Sequence, residues 1–290
     1  MTEAARPRRS VLYMPGSNAR ALEKGREIPA DALILDLEDA VAPDAKETAR
    51  RQVVEAVQAG GYGHRELAIR VNGLDTPWGV QDLQAAATAG AHAVLLPKVE
   101  SARMVAEAER RLRQGGAPEG LALWCMMETP LGILNAREIA GASPRLGCLV
   151  MGTSDLVKDL RAAHTALRLP VLTALSLCVL AARAYGLAAL DGVHLDLADD
   201  AGFRAACVQG RELGFDGKTL IHPKTVPVAN EVFAPSEAEV AQAKKIIAAH
   251  AEATAAGKGV VLLDGKLIEN LHVEMARRTM TLAEAVAARG

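Results

Sequence analysis

Short apolar runs rich in Val, Leu and Ile recur along the chain, separated by longer amphipathic stretches of Ala, Glu and Arg. A strand of a covered parallel sheet reads as a continuous apolar run, and a segment with apolar residues at three- and four-residue spacing reads as a crossover helix. The runs predict eight strands, at Ser10 to Met14, Ala32 to Leu37, Leu67 to Val71, Ala93 to Pro97, Leu121 to Met127, Cys148 to Met151, Ala188 to Asp191 and Asp216 to Ile221. Eight βα repeats in 290 residues fit one α/β domain, a TIM-type (β/α)8 barrel of about 250 residues, with a short extension. The rival is a doubly wound open sheet. A dinucleotide-binding sheet of that kind carries G-x-G-x-x-G after its first strand, and none follows Met14.

Beyond the eighth strand, Ser236 to Glu239 reads S-x-x-E, a helix capping box, and Val240, Ala243, Ile247 and Ala251 follow one helical face until Gly257. Gly259 to Leu263 predicts a short strand, Asp264-Gly265 a turn and Glu269 to Ala288 a final helix. The expected division is a barrel over residues 1–234 and a C-terminal helical lid over 235–290. The longest apolar stretch, Leu169 to Ala182, contains Thr173 and Ser176 and falls short of the roughly 18 uninterrupted apolar residues of a membrane span. It reads as a buried helix that can also face another subunit.

Aromatics are only 3% of the residues while hydrophobic residues reach 50%, so Ala, Leu and Val must fill the core. The 33 basic and 35 acidic residues nearly cancel and form no long block of one sign, which argues against nucleic acid or an anionic membrane as partner. Met1 to Arg9 is positively charged but precedes no apolar run of signal-peptide length, so neither a signal peptide nor an anchor is expected. Cys125, Cys148, Cys178 and Cys207 form no C-x-x-C pair, which disfavours zinc and suits buried thiols in a reducing cytoplasm.

In such a barrel the active site lies at the carboxyl ends of the strands, so polar residues just after each strand are the candidates. They include Pro15-Gly16-Ser17-Asn18, Asp36-Leu37-Glu38-Asp39, Arg70-Val71-Asn72, Lys98, Glu128 and Gly152-Thr153-Ser154-Asp155. Glu128 and Asp155 end neighbouring strands and can converge on one cation; two carboxylates plus waters suit Mg2+. The alternative is that each acid caps the following helix. Asp36, Glu38 and Asp39 would repel one another unless cations offset them, and Arg70 and Lys98 can supply that charge. Direct participation of Glu38 and Asp39 in water-mediated metal binding is the competing reading, and Asp36 and Glu38 are candidates for a catalytic role. Arg70 could clamp a substrate carboxylate or polarise a carbonyl, or serve only to pair Asp36. His222 before Pro223 suits a satisfied loop residue better than a base.

Seven ordered motifs resemble the citrate lyase beta subunit-like (HpcH/HpaI aldolase) family. They are Arg9-Ser10 with Pro15-Gly16-Ser17, Leu35-Asp36-Leu37-Glu38-Asp39-Ala40-Val41, Arg70-Val71-Asn72-Gly73, Pro97-Lys98-Val99, Met127-Glu128-Thr129, Gly152-Thr153-Ser154-Asp155-Leu156 and Gly217-Lys218-Thr219-Leu220-Ile221-His222-Pro223. The group includes malyl-CoA and citramalyl-CoA lyases and malyl-CoA thioesterases. The resemblance implies a homotrimer or hexamer of barrels, Mg2+ on Glu128 and Asp155, and substrate against Arg70 and Glu128. It leaves the coenzyme A contacts poorly defined; Arg9, Arg20 and Lys24 are the candidates. The lyases carry an Asp in a Met-Ile-Asp type motif on the C-terminal extension, delivered into a neighbouring subunit's site. Here the aligned stretch is Leu267-Ile268-Glu269-Asn270-Leu271-His272, which looks more like the malyl-CoA thioesterase branch. Glu269 would then position or activate water against the thioester, giving malate and free CoA. The alternatives are carbon–carbon cleavage to an acyl-CoA and a 2-oxoacid, and a citryl lyase component acting within a larger complex.

Overall fold

The computed structural model describes residues 6–255, 257 and 259–289. Strands form where the apolar runs lie: β1 (Ser10–Pro15), β2 (Ala32–Asp36), β3 (Glu66–Arg70), β4 (Ala93–Leu96), β5 (Ala122–Met127), β6 (Leu146–Met151), β7 (Ala188–Asp191) and β8 (Gly217–Leu220). Each lies within two residues of its predicted bounds. Neighbours pair in parallel in chain order, and β8 returns to β1 through Lys218–Ser10, Thr219–Val11 and Leu220–Leu12, which closes the barrel.

Side chains alternate across each strand, so every second residue points inward. Val11, Ile34, Ala68, Leu95, Trp124 and Val150 belong to one buried cluster. Small residues at Ala32, Ala68 and Ala93 leave room for Trp124, which is fully buried despite the scarcity of aromatics. Arg8 lies over the Trp124 ring, 5.3 Å from its centroid, and forks onto Glu66 at 2.6 and 2.9 Å. The same alternation, continued two residues past the core, carries Tyr13, Asp36, Arg70 and Glu128 to the carboxyl end of the interior.

The crossover helices bury one stripe each. In Ala102–Gln114 the buried apolar residues are Val105, Ala108 and Leu112, and Ser101 caps the helix by accepting from the Met104 amide. This is the spacing that an amphipathic helix lays on a barrel. The Leu169–Ala182 stretch is a short 3-10 turn, Leu169–Val171, followed by helix Leu172–Ala184. The expectation of a buried helix is corrected. Ala174, Leu175, Cys178 and Ala182 face inward, but Leu169 and Leu180 are 63% and 66% exposed.

The described residues divide into two compact units, with the break between Asn230 and Glu231 and with Arg6 and Pro7 belonging to the second. That unit contains helix Glu237–Ala255, strands β9 (Val261–Leu263) and β10 (Lys266–Ile268), and helix Asn270–Ala287. Ser236 and Glu239 make both halves of the predicted capping box: Glu239 Oε2 accepts from the Ser236 amide at 2.7 Å and Ser236 Oγ from the Glu239 amide at 3.2 Å. Asp264 and Gly265 both have positive φ, the geometry of a two-residue hairpin turn joining β9 to β10. Among the described residues no helix is long and apolar enough to cross a membrane.

Candidate active site

A pocket opens at the carboxyl end of the barrel. Its wall carries Asp36, Asp39, Arg70, Glu128 and Asp155, together with apolar Met126, Met151, Val193, Leu195 and Ile221. Four carboxylates thus face the pocket with a single arginine.

Arg70 ends β3 beside Asp36, which ends β2 in the same register. Its Nε and Nη2 each donate to Asp36 at 2.6 Å, and its guanidinium lies over the Tyr13 ring, 4.8 Å from the centroid. Nη1 sits 2.8 Å from Glu38 Oε2, close enough for charge attraction but poorly aligned for a hydrogen bond, since that oxygen has no hydrogen-bond partner. Asp36 also accepts from the amides of Glu38 and Ala40, so both its oxygens are occupied. Asp36 thus holds Arg70 in place, the ion-pair reading, while its carboxylate also lines the pocket. Two of the five guanidinium donors are used in this pairing and one on Nη1 reaches Asp39 Oδ2 at 3.5 Å, which leaves one N–H on each of Nη1 and Nη2 to address a ligand.

Glu38 is likewise a member of an ion-pair network, bound to Lys98 and near Arg70, and it does not line the pocket. Burial raises its carboxyl, opposed by Arg70 and Lys98. Burial lowers the Lys98 ammonium, but its pairing with Glu38 outweighs this and lifts it to about 12. Lys46, which the sequence reading missed, is buried beneath this network and donates to the carbonyls of Leu37 and Glu38 and to Asn72 Oδ1 at 2.7 to 2.9 Å. Its signal in the sequence was faint, because a lone Lys at a helix start reads as a solvated residue.

Glu128 follows β5 and Asp155 follows the adjacent β6, as expected. Glu128 is 2% exposed. Its Oε1 accepts from the Lys98 amide at 2.8 Å, and burial pushes its carboxyl up to about 7, against the opposing pull of that hydrogen bond. Its Oε2 packs on Gly152, where a Cβ would come within 2.3 Å. The glycine therefore leaves the space that the carboxylate occupies. Asp155 lies in the first turn of helix Thr153–Asp159 and meets Lys158 at 2.9 Å. Among the described residues no three His, Cys, Asp or Glu gather in a metal-binding group. Two carboxylates without His or Cys, one of them buried with no full counter-charge, nevertheless suit a hard divalent cation that keeps several waters. The residues present fit magnesium.

The expectation that Arg9 contacts substrate is corrected, and the remaining candidates lie as follows. Arg9 lies at the amino end of β1 with its guanidinium on Asp31 at 2.8 and 2.9 Å, at the opposite end of the barrel from the pocket. Lys24 and Arg20 are exposed on helix Ala19–Lys24 and do not line the pocket. His222 caps the 3-10 turn Pro223–Thr225 by accepting from the Lys224 amide at 3.1 Å. Lys218 of the Gly217-Lys218-Thr219 motif is buried against Asp191 at 2.8 Å, an ion pair that Arg168 joins from the other side at 2.7 Å. Glu269 is exposed in the second unit, at the N-cap of the final helix, where His272 Nδ1 accepts from its amide at 3.1 Å. Tyr13 and the apolar part of the lining were not foreseen. For Tyr13 a signal existed, since it sits two residues after inward-facing Val11.

Comparison with known proteins agrees with this arrangement. Residues 9–223 match the family model described as HpcH/HpaI aldolase/citrate lyase. The (3S)-malyl-CoA thioesterase of Cereibacter sphaeroides (strain KD131 / KCTC 12085) is 53% identical over 288 residues, 99% of each chain. Citrate lyase subunit beta of Escherichia coli (strain K12) is 39% identical over 284 residues, 96% of this chain and 94% of that one. The crystal structure of protein CitE from Mycobacterium tuberculosis in complex with magnesium, acetoacetate and coenzyme A superimposes with a TM-score of 0.77 at 29% identity, covering 97% of this chain and 99% of that one. With its closed barrel, its paired acids at the ends of β5 and β6 and these relatives, the chain belongs to the HpcH/HpaI aldolase/citrate lyase family.

Proposed function

We propose that the protein is a magnesium-dependent enzyme that hydrolyses (3S)-malyl-CoA to malate and CoA. The observation that carries this reading is the pairing of Glu128 and Asp155 in one pocket with Arg70, in a chain 53% identical to a (3S)-malyl-CoA thioesterase over nearly its full length. Glu128 and Asp155 would hold the ion, which when bound supplies positive charge for ligand oxygens. The free donors of Arg70, kept in place by Asp36 and Tyr13, bind the substrate carboxylate or the thioester oxygen, where negative charge develops. Water adds to the thioester carbon, the carbon–sulfur bond breaks, and the proton lost by water ends on the CoA sulfur. Glu269 positions that water or accepts its proton.

The barrel pocket lacks a carboxylate free of ion pairs or cation duty for that last task. In this reading residues 235–290 act as a lid and Glu269 enters the site of a neighbouring copy, within a homotrimer or hexamer. The exposed leucines of helix Leu172–Ala184 support contact between copies, because water-facing side chains such as Leu180 gain by burial. Four free, buried cysteines support residence in a reducing cytoplasm.

Carbon–carbon cleavage is the second reading, favoured by the 39% identity to citrate lyase subunit beta and by the acetoacetate complex of CitE. One incubation separates the two. Purified protein with (3S)-malyl-CoA and magnesium is followed for free thiol and glyoxylate together, with and without EDTA. Free thiol and malate without glyoxylate are expected. Glyoxylate with acetyl-CoA would assign the lyase instead, and turnover unaffected by EDTA would overturn the metal dependence.

A further inference from the structure

Lys98 follows β4 with a φ of +47°, one of four non-glycine residues with positive φ among those described. A side chain disfavours this left-handed region, because its Cβ crowds the following carbonyl. Glycine would adopt it freely, so a lysine here needs a reason. The β4–β5 ladder ends at Leu96–Cys125, and resumes only as a long contact from the Val99 amide to the Met126 carbonyl at 3.4 Å. Between them the Lys98 amide has left the ladder. It donates instead to Glu128 Oε1 at 2.8 Å.

The side chain of the same residue turns to a different strand. Its ammonium binds Glu38 and lies 3.8 Å from Asp39, in the acidic cluster after β2. Lys98 therefore joins two parts of the rim, one through its backbone and one through its charge. On its far side the Glu128 carboxylate meets Gly152, where no Cβ could stand. The carboxylate is confined from both directions.

We propose that Lys98 is a positioning residue: its left-handed backbone aims Glu128 at the cation site, and its ion pairs with Glu38 and Asp39 anchor that backbone. The proposal rests on Glu128 being a magnesium ligand, as in the functional reading above. A role of the lysine charge alone would predict that any neutral substitution has the same effect. A role of the backbone predicts that glycine and alanine differ, although both remove the charge.

The test is calorimetric titration of magnesium into wild type, Lys98→Gly and Lys98→Ala. The glycine variant reaches the left-handed region without steric cost, whereas alanine tends to leave it. Lys98→Ala is expected to bind magnesium about tenfold more weakly than Lys98→Gly, the factor set by the left-handed penalty. Equal affinities in the two variants, with wild type binding, would overturn the backbone role and leave the metal reading intact. Absence of magnesium binding by wild type would overturn both, and circular dichroism of the three proteins verifies that the barrel is folded in each.

Discussion

Arg70 and Asp36 meet side-on across β3 and β2, with two 2.6 Å hydrogen bonds joining guanidinium and carboxylate inside the barrel. Asp36 is fully buried and Arg70 nearly so. A pair so placed survives only if each charge is compensated, and the fork geometry does that while fixing the plane of the guanidinium. The two residues thereby divide the work: Asp36 sets the orientation, and the rest of Arg70 meets Asp39 and Glu38 and lines the pocket.

Arg70→Lys should keep the charge but lose the fork and the stacking on Tyr13. We expect kcat/KM for malyl-CoA to fall at least about tenfold, the result of replacing a planar, two-point group by a point charge. Steady-state kinetics with thiol detection would check this. A value within twofold of wild type would show that charge alone suffices.

Asp36→Asn leaves Arg70 with less compensation in a buried position. Breaking one partner of a buried pair costs about 3–5 kcal/mol, so the unfolding midpoint in urea should drop clearly. Activity should fall more than stability at assay temperature explains, because Arg70 would lose its orientation. Unchanged denaturation and turnover together would remove Asp36 from this role.

Gly152→Ala is expected to remove magnesium binding while the barrel stays folded. A methyl group there would lie 2.3 Å from Glu128 Oε2 and 2.4 Å from its Cβ, so the whole Glu128 side chain, whose carboxylate is enclosed on its other side by the Lys98 amide, would have to shift. Calorimetric titration of magnesium and circular dichroism of the same sample separate this outcome from misfolding. Wild-type affinity in the variant would show that the carboxylate has room to move.

The pH dependence follows from Glu128, which burial lifts to about 7 while the Lys98 amide, Arg70 and the Lys98 ammonium act against that rise and Glu38 adds to it. A carboxyl raised on folding contributes stability that is complete below its unfolded value of about 4.3 and is lost as pH rises through about 7. At higher pH the ionised group costs the metal-free protein about 4 kcal/mol, a burden a bound cation offsets. Thermal unfolding should therefore show magnesium raising Tm more at a pH about one unit above 7 than about one unit below it. Equal shifts at both would show that Glu128 does not titrate on cation binding.

Leu180→Glu places a charge on the exposed face of helix Leu172–Ala184, where Leu180 is 66% exposed. If that face joins copies of the chain, light scattering should show a smaller particle, and hydrolysis should fall with it because Glu269 would no longer reach a neighbour's pocket. A particle of unchanged mass would place the contact elsewhere.

The eight strands, the S-x-x-E cap at Ser236 and the Asp264-Gly265 turn were determined by the sequence, because each depends on residues close together in the chain: a local apolar run, a side chain reaching three residues along, a backbone preference for positive φ. The acids after β5 and β6 were also legible, since chain order places adjacent strands side by side in such a barrel. Local pattern does not reveal which charges meet. Only the tertiary structure decided that Asp36 and Glu38 serve Arg70 and Lys98, that Arg9 is held by Asp31 at the far end of the barrel, and that Gly152 makes room for Glu128. Those contacts join residues up to 60 positions apart, and a hydrogen bond or a Cβ clash depends on fractions of an ångström that no spacing in a sequence encodes.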